Sequence, residues 1–580
     1  MPGLFGFNKT KGGNDGAVLQ RGLNLLTHAD GYRQDPVYED EKVIAGRTHL
    51  GVIGEPTSPR KVGAVHCWVE GEVFNLEELR KSGNYREETF AGILAEALDK
   101  DSLRNLLRRA NGQFAAALYD STTQELHLLS DRLGIKPLYW WQQGENLAWC
   151  SELKGFLALP HFIPVINRTA VDCFLELGFV AGNATWFEGV ERMPAASCLS
   201  FKVGQSSVGQ KERYWHWSDI VPVDLRFREA VSSAGEIWEK AVRQRCTGEQ
   251  PLGISISGGL DSRAIVAAFP KERRAPTLFT FGKTRSWDLR LAQRVARQTG
   301  WQHHVLLLSG ENWLDARWQG VWKTDGFKNL LHLHFSQHQK TIRQWCSINL
   351  NGFLGGVAFG GIYASEHPGQ RISAAVSAQY LGRFAELDEA GQDFYDLSKV
   401  DPYLINNRIR RFSAAGLTEW ACLTEQRLPF ADHALLEFLY GLPDRYRSGS
   451  RLFNAFLLER YPALFNQIPW QRTGLPIRKA LLSKAVMKGK WRQVQQRLGV
   501  LPNYTFTDYP AWIRTQESAA TFRSLLDPAE AIYPDYVLAD LRTKWLEPHL
   551  AGRRNFAEQI GRAATLEYWL RRVFNRNADL

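Results

Sequence analysis

Between Gly253 and Arg263 the chain reads Gly-Ile-Ser-Ile-Ser-Gly-Gly-Leu-Asp-Ser-Arg. An apolar run ends there in two serines, two glycines and an aspartate, and a helical pattern takes over at once. At a strand-to-helix turn of this kind, backbone N–H groups and the positive end of the helix dipole form a cradle for phosphate, and glycine lets the anion approach the main chain. The lysine of a Walker A loop is missing, so the loop belongs to another class of phosphate binder. A Gly-rich turn with a capping serine would use the same residue types without any ligand. The position between a strand and a helix favours the phosphate reading.

The elements that must hold this loop follow from periodicity. Leu252–Ser257 reads as a strand and Arg263–Phe269 as a helix, followed by a second strand, Thr277–Phe281, and a second helix, Asp288–Thr299. This order predicts a parallel sheet with its ligand beyond the carboxyl ends of the strands. After about residue 380 the pattern is mostly helical. The first ~200 residues differ: short strands such as Lys42–Ala45, Ala64–Val69, Phe114–Tyr119 and Glu125–Leu129 are separated by turn residues, with a helical pattern near Glu87–Leu98. That is an α+β, sheet-rich unit. The pattern loosens over Ser200–Asp224, which predicts a boundary near 210 and two domains, 1–209 and 210–580.

Composition narrows the function classes. The chain has 580 residues, 44% of them hydrophobic and 23% charged, as in an ordinary soluble globular protein. No apolar stretch approaches the ~18 residues that span a bilayer, and the N-terminal residues lack an apolar signal region. The seven cysteines are scattered singly, which favours reduced thiols in the cytoplasm over a disulfide framework or a structural zinc. The net charge of +10 suits an anionic ligand such as ATP or an acidic peptide and does not by itself imply nucleic acid.

The loop resembles the SGG-x-DS pyrophosphate loop of the adenylating PP-loop ATPases, and the resemblance widens to the asparagine synthetase B family over nearly the whole chain. In the first half, NGQFAAALYD, LLSDRLGIKPLYWW and GEVFN at 71–75 are similar to the family's glutamine amidotransferase domain, an Ntn-type sheet sandwich of αββα architecture. In the second half, FTFGKTRSWDLRLAQRVARQTGWQHH and Glu425-Gln-Arg427-Leu-Pro429-Phe430-Ala-Asp432 resemble its synthetase domain. The resemblance implies ATP and magnesium as cofactors. It places Ile256, Ser257, Gly258, Gly259, Asp261, Ser262, Phe281, Gly282 and Gly352 around the nucleotide, Asp261 and Asp288 on the metal, and Glu425 and Asp261 among the catalytic groups. A cation near the reacting carbonyl is also implied; Arg472 is the candidate, with Arg478 and Lys479 as competitors.

Departures from the family pattern refine the expectation. Where the family has its nucleophilic cysteine, position 2 is Pro2; the carboxamide-reading Asn is Glu70, and the carboxylate-binding Arg-Leu is His49–Leu50. No glutaminase activity is expected. In NGFLGGVAFGGIY (351–363), Gly356 stands where the family has a metal-holding Asp. Loss of the glutaminase resembles the β-lactam and lasso-peptide macrolactam synthetases, and Phe353 after Gly352 favours the second. The expected activity is therefore ATP-dependent amide formation through an acyl-adenylate on a peptide or small carboxylate, with a leader peptidase or leader-binding protein as partner. The alternatives are an ammonia- or amine-dependent synthetase and a catalytically silent scaffold. Two further features read blandly: His334 and His338 as one face of a packed helix, and Trp140–Trp141 with Trp215–Trp217 as core, with a peptide groove as the alternative.

Overall fold

A computed structural model describes residues 1–9, 13–54, 57–206, 209–314, 316–388, 390–480 and 505–574. The first 213 residues form two antiparallel sheets. One is built around the strands Gly3–Asn8, Val43–His49, Tyr139–Gln143 and Asn146–Cys150, the other around Val65–Val73, Gly112–Asp120, Glu125–Ser130 and Ser197–Lys202. Alternation along each strand sends one set of side chains between the sheets and the other set outward. Leu4, Val43, Ala45 and Trp149 meet Trp68, Ala115, Ala117 and Leu128 in the middle layer. Phe5, Phe7 and Ile44 face the other way and bury the helix Asp15–Leu25 through Val18, Leu19 and Leu23. The outer face of the second sheet is covered by Phe90–Asp99. This is the αββα sandwich that the sequence implied. Gln210–Arg213 pairs with Ser197–Lys202 as the last strand of the second sheet, so the loosened stretch expected to be a connector begins as a hairpin, and the boundary near 210 falls inside it.

The second half is built on a five-stranded parallel sheet. Its order is His303–Leu307, Thr277–Gly282, Leu252–Ser255, Ile348–Leu350, Glu425–Arg427, with the strand that leads into the Gly-rich loop in the centre. Ile254, Leu278, Ile348 and Leu350 are wholly buried, as central parallel strands require. Helices make up most of the chain beyond residue 355. No described helix is long and apolar enough to cross a membrane.

The two halves share their cores. One apolar cluster joins Phe179, Tyr214 and Trp215 to Trp238, Ile254, Leu350 and Phe430. A second joins Phe5, Leu23 and Trp186 to Trp313, Leu331 and Trp569. Asp325, after the helix Arg317–Lys323, reaches into the first half: its carboxylate accepts the N–H groups of Leu153 and Lys154 and pairs with the Lys154 ammonium at 2.9 Å, while its carbonyl takes the Trp186 indole N–H. Trp141, Trp215 and Trp217 are each 6% exposed or less and Trp140 is half-buried, so these tryptophans pack the core; Trp141 also lines a small cavity with Phe7, Leu159 and His161. His334 and His338 do not share a helix face; His334 falls between two short 3₁₀ turns, Leu330–His332 and Ser336–His338, the second of which ends at His338.

Candidate nucleotide-binding cleft

The Gly-rich loop is held from beneath by its neighbours in the sheet. The Ser255 N–H donates to the Asn349 side chain at 3.0 Å and the Ile256 N–H to the Phe279 carbonyl at 2.9 Å. Two serines then fold the loop on itself: the Ser262 hydroxyl accepts from the Ser257 N–H, and the Ser257 hydroxyl accepts from the Gly259 N–H. The helix Asp261–Ala268 starts there, with its positive end toward the loop. Above the loop opens a cleft of about 320 Å³, at the lower end of the range of small-molecule sites. Its polar end is made by Ser255, Ser257, Gly259, Asp261, Ser262, Asp288 and Gly352, and its aromatic end by Phe281, His334, Trp420 and Phe506.

Asp261 is the most perturbed group in the cleft. Burial pushes its carboxyl up to about 7, offset only in part by the N–H that Gly356 donates. A half-buried carboxylate so short of partners is costly alone and favourable beside a cation. Together with the serine hydroxyls and phosphate oxygens it makes the hard oxygen donor set that suits magnesium. Asp288 is committed differently. Its two oxygens accept from the Gly258 N–H at 2.9 Å and the Gln471 amide at 2.7 Å, so it latches the back of the loop, and burial raises its carboxyl as well.

The glycines near Asp261 divide by space. A Cβ on Gly355 would lie 2.6 Å from the Asp261 carboxyl carbon, whereas one on Gly356 would meet the Ile362 side chain at 3.2 Å and an Asp261 oxygen at 3.7 Å. Gly356 sits in the short helix Gly355–Ala358 with no positive φ, so nothing in its backbone demands glycine. Gly355→Ala is expected to disturb the site by displacing Asp261. Gly356→Asp is expected to fit after a small shift of Ile362 and to lower the free magnesium needed for half-maximal nucleotide binding. A magnesium titration of fluorescent ATP binding to both variants checks this, and an unchanged midpoint for Gly356→Asp would defeat it.

The structure brings Ile256, Ser257, Gly259, Asp261, Ser262, Phe281, Asp288 and Gly352 to one cleft and removes four other residues assigned to the site. Gly258 faces away, its backbone against Leu291 and Gln471. Gly282 lies beneath Ser286 and Phe506, where its missing side chain lets both approach. Arg472 lines a separate cavity with Glu366, Asn454 and Trp470; the bridge between Trp470 and Leu475 turns it outward, and its neighbour Gln471 faces the loop instead. Glu425 opens its strand, whereas the cleft lies beyond the opposite, carboxyl ends of the sheet. It is buried against Lys136, 3.7 Å away, in a cluster with Glu70, and burial holds its carboxyl well above the usual range. His334, Trp420, Phe506 and Gln471 were missed by sequence reasoning. Arg478 and Lys479 are exposed on the short helix Ile477–Ala480; the notably basic residues that follow, 481 to 492, lie outside the described residues.

Glu70 and His49, two of the positions that depart from the family pattern, are held in ion pairs. Glu70 pairs with Lys136 at 2.9 Å, and Arg47 and His49 converge on Asp35. All seven cysteines are free thiols, and burial pushes those of Cys173, Cys246 and Cys346 up to about 12.

Comparison with known proteins agrees with this architecture. Residues 1–215 match the family described as glutamine amidotransferase domain, and residues 235–347 match asparagine synthase. The chain belongs to the asparagine synthetase family. By class it is an ATP-dependent carbon–nitrogen ligase. Asparagine synthetase (glutamine-hydrolyzing) 3 of Bacillus subtilis is 24% identical over 70% of this chain and 75% of its own, and the Gallus gallus enzyme is 21% identical over 76% of each. A Methanocaldococcus jannaschii relative, given as a glutamine-hydrolyzing asparagine synthetase, is 29% identical over 36% of this chain, a match that spans 41% of that relative's length.

Proposed function

We propose that this member of the asparagine synthetase family joins a peptide carboxylate to an amine already present in its substrate, through an acyl-adenylate and without hydrolysing glutamine. A carboxylate oxygen attacks the α-phosphorus of ATP, the bond to pyrophosphate breaks, and the amine then displaces AMP from the acyl carbon. The observation that carries the reading is Asp261, a half-buried and under-partnered carboxylate in the wall of a cleft lined by the Gly-rich loop. Asp261 would hold magnesium, which neutralises the charge of the departing pyrophosphate. The serine hydroxyls and the start of the helix Asp261–Ala268 orient the phosphates, the aromatic end takes the base, and closure of the cleft keeps water from the adenylate.

Three observations support the absence of glutamine chemistry. Pro2 supplies no nucleophile, Glu70 is spent on Lys136, and the thiols of Cys150, Cys173 and Cys198 in the first half are held in their protonated form by burial. With the amine inside the substrate, macrolactam closure of a cleaved precursor peptide is the reading that fits best, with a leader peptidase or leader-binding protein as the partner that delivers it. The test is ATP–pyrophosphate exchange against precursor peptides and free amino acids, with glutamate release from glutamine assayed in parallel. Exchange is expected with peptide, and glutamate release is expected to stay at the level of heat-killed protein. Exchange with aspartate and ammonia alone would favour a free-amine synthetase, and exchange with no substrate would favour a silent scaffold.

A further inference from the structure

At the seam between the two halves the fold gathers three metal-ligating side chains, none of which lines the cleft. His28 follows the helix Asp15–Leu25, and Glu152 follows the strand Asn146–Cys150. Cys422 comes from the second half, directly after the helix Ala415–Ala421. Glu152 and Cys422 are fully buried, and the His28 side chain is 4% exposed. The Tyr32 hydroxyl donates to the Cys422 carbonyl at 2.8 Å, so the first half holds this residue in place. The cysteines are spaced singly along the chain, so no zinc motif announces the cluster, and folding alone assembles it.

One ligand atom from each residue lies within 4.8 Å of the other two, and the His28 Nε2 stands 2.8 and 2.9 Å from the Glu152 oxygens. Bonds of about 2.0 Å to nitrogen and oxygen and about 2.3 Å to sulfur put the donors of a tetrahedral zinc roughly 3.3–3.5 Å apart. The cluster brackets that spacing. Imidazole, carboxylate and thiolate are also donors that zinc takes. Burial, the first cause, holds the His28 ring neutral, the state in which it ligates. Glu152 is shared with the Lys154 ammonium and the Met1 amino group. Asp325 keeps Lys154 paired when Glu152 turns to a metal, and burial lowers the Met1 amine to about 6, so little of its charge opposes a cation at neutral pH. The Cys422 thiol donates to the Thr418 carbonyl at 3.3 Å, a weak bond that coordination replaces.

We propose that His28, Glu152 and Cys422 bind one zinc ion, a structural site that fastens the second half to the first. Cys422 binds as the thiolate and releases its proton to solvent. The two positive charges of the ion then meet one thiolate and one carboxylate, so the buried site is neutral. The ion is a cross-link and takes no part in adenylation.

The test is the metal content of the full chain, expressed in zinc-supplemented minimal medium and purified without a metal-affinity resin. The wild type is expected to keep one zinc per chain through gel filtration. Cys422→Ser and His28→Gln are expected to keep at least about tenfold less, since even the partners behind metal ligands are worth that much. Cys346→Ser, which removes a buried thiol elsewhere, is expected to match the wild type. Growth in cobalt instead is expected to give the wild type a thiolate-to-cobalt charge-transfer band that Cys422→Ser lacks. His28→Gln keeps a hydrogen-bond donor for Glu152, so it reports on the metal even where the cysteine variant folds poorly. A wild type without zinc, or either ligand variant holding as much as the wild type, would overturn the site.

Discussion

Asp261→Asn is expected to lower ATP–pyrophosphate exchange on the order of a hundred- to a thousandfold, the scale at which removal of one electrostatic stabiliser is felt in a closed site. Asparagine has the same size, so the close packing of Gly352 and Gly355 on this side chain survives the change. What disappears is the charge that a cation needs. Stability separates the two effects. Burial raises the Asp261 carboxyl to about 7, above its unfolded value, so at pH 8 the folded state carries the cost of an ionised half-buried group. That cost is absent below the unfolded value and grows until the pH passes about 7. The variant is therefore expected to melt at the same temperature as the wild type at pH 8, or higher. By the same logic, magnesium-dependent nucleotide binding to the wild type is expected to weaken as pH falls below about 7, where protons compete for the carboxylate. Normal exchange by Asp261→Asn would remove the adenylation reading.

The largest effect on stability is expected from Arg245→Met. The Arg245 guanidinium, at the end of the helix Phe227–Arg245, is fully buried and donates to Asp432 at 2.6 Å and to the Asn111 carbonyl at 3.2 Å. Asn111 in turn donates to Asp432 at 2.7 Å, so a residue of the first half closes the triangle. The other Asp432 oxygen caps the helix His433–Gly441 through the Leu435 N–H. Removing the arginine leaves Asp432 charged, buried and without its ionic partner, which typically costs about 3–5 kcal/mol. Denaturant unfolding followed by tryptophan fluorescence reads the loss as a lower midpoint. A shift worth less than about 1 kcal/mol would show that the triangle is held by its hydrogen bonds rather than by charge.

The phosphate end of the cleft was legible in the sequence because one contiguous segment builds it. Strand, glycines, Asp261 and helix lie within a dozen residues, and the physics that joins them is local. Asp288 and Phe281 came with the family resemblance. The rest of the aromatic end was not legible: His334, Trp420 and Phe506 come from three segments whose convergence depends on how the helical region packs over the sheet. Glu425 shows a different failure: its motif was recognised, but a motif does not say which end of a parallel strand a residue occupies. Arg472 failed by one residue, because charge drew attention while the shape of a tight loop presented the neutral Gln471. In the first half, alternation predicted the strands, and the resemblance to the amidotransferase domain implied the sandwich. The ion pairs of Glu70 and Asp35 followed from tertiary contacts alone.

Asp325 and the two apolar clusters that draw on both halves have a consequence for how the chain can evolve. A gene segment can be discarded cheaply only when its product leaves the remainder with a finished surface. Cutting away the first 213 residues would uncover Phe327, Phe412 and Trp569, which pack on Trp186, Phe179 and Phe187, and strand the Asp325 carboxylate without Lys154. The sandwich is thus retained as one wall of the ligase fold, under selection for shape, whatever chemistry its own pocket performs. Its interior ion pairs are free to drift toward new sequences, while the faces it turns toward the second half are not.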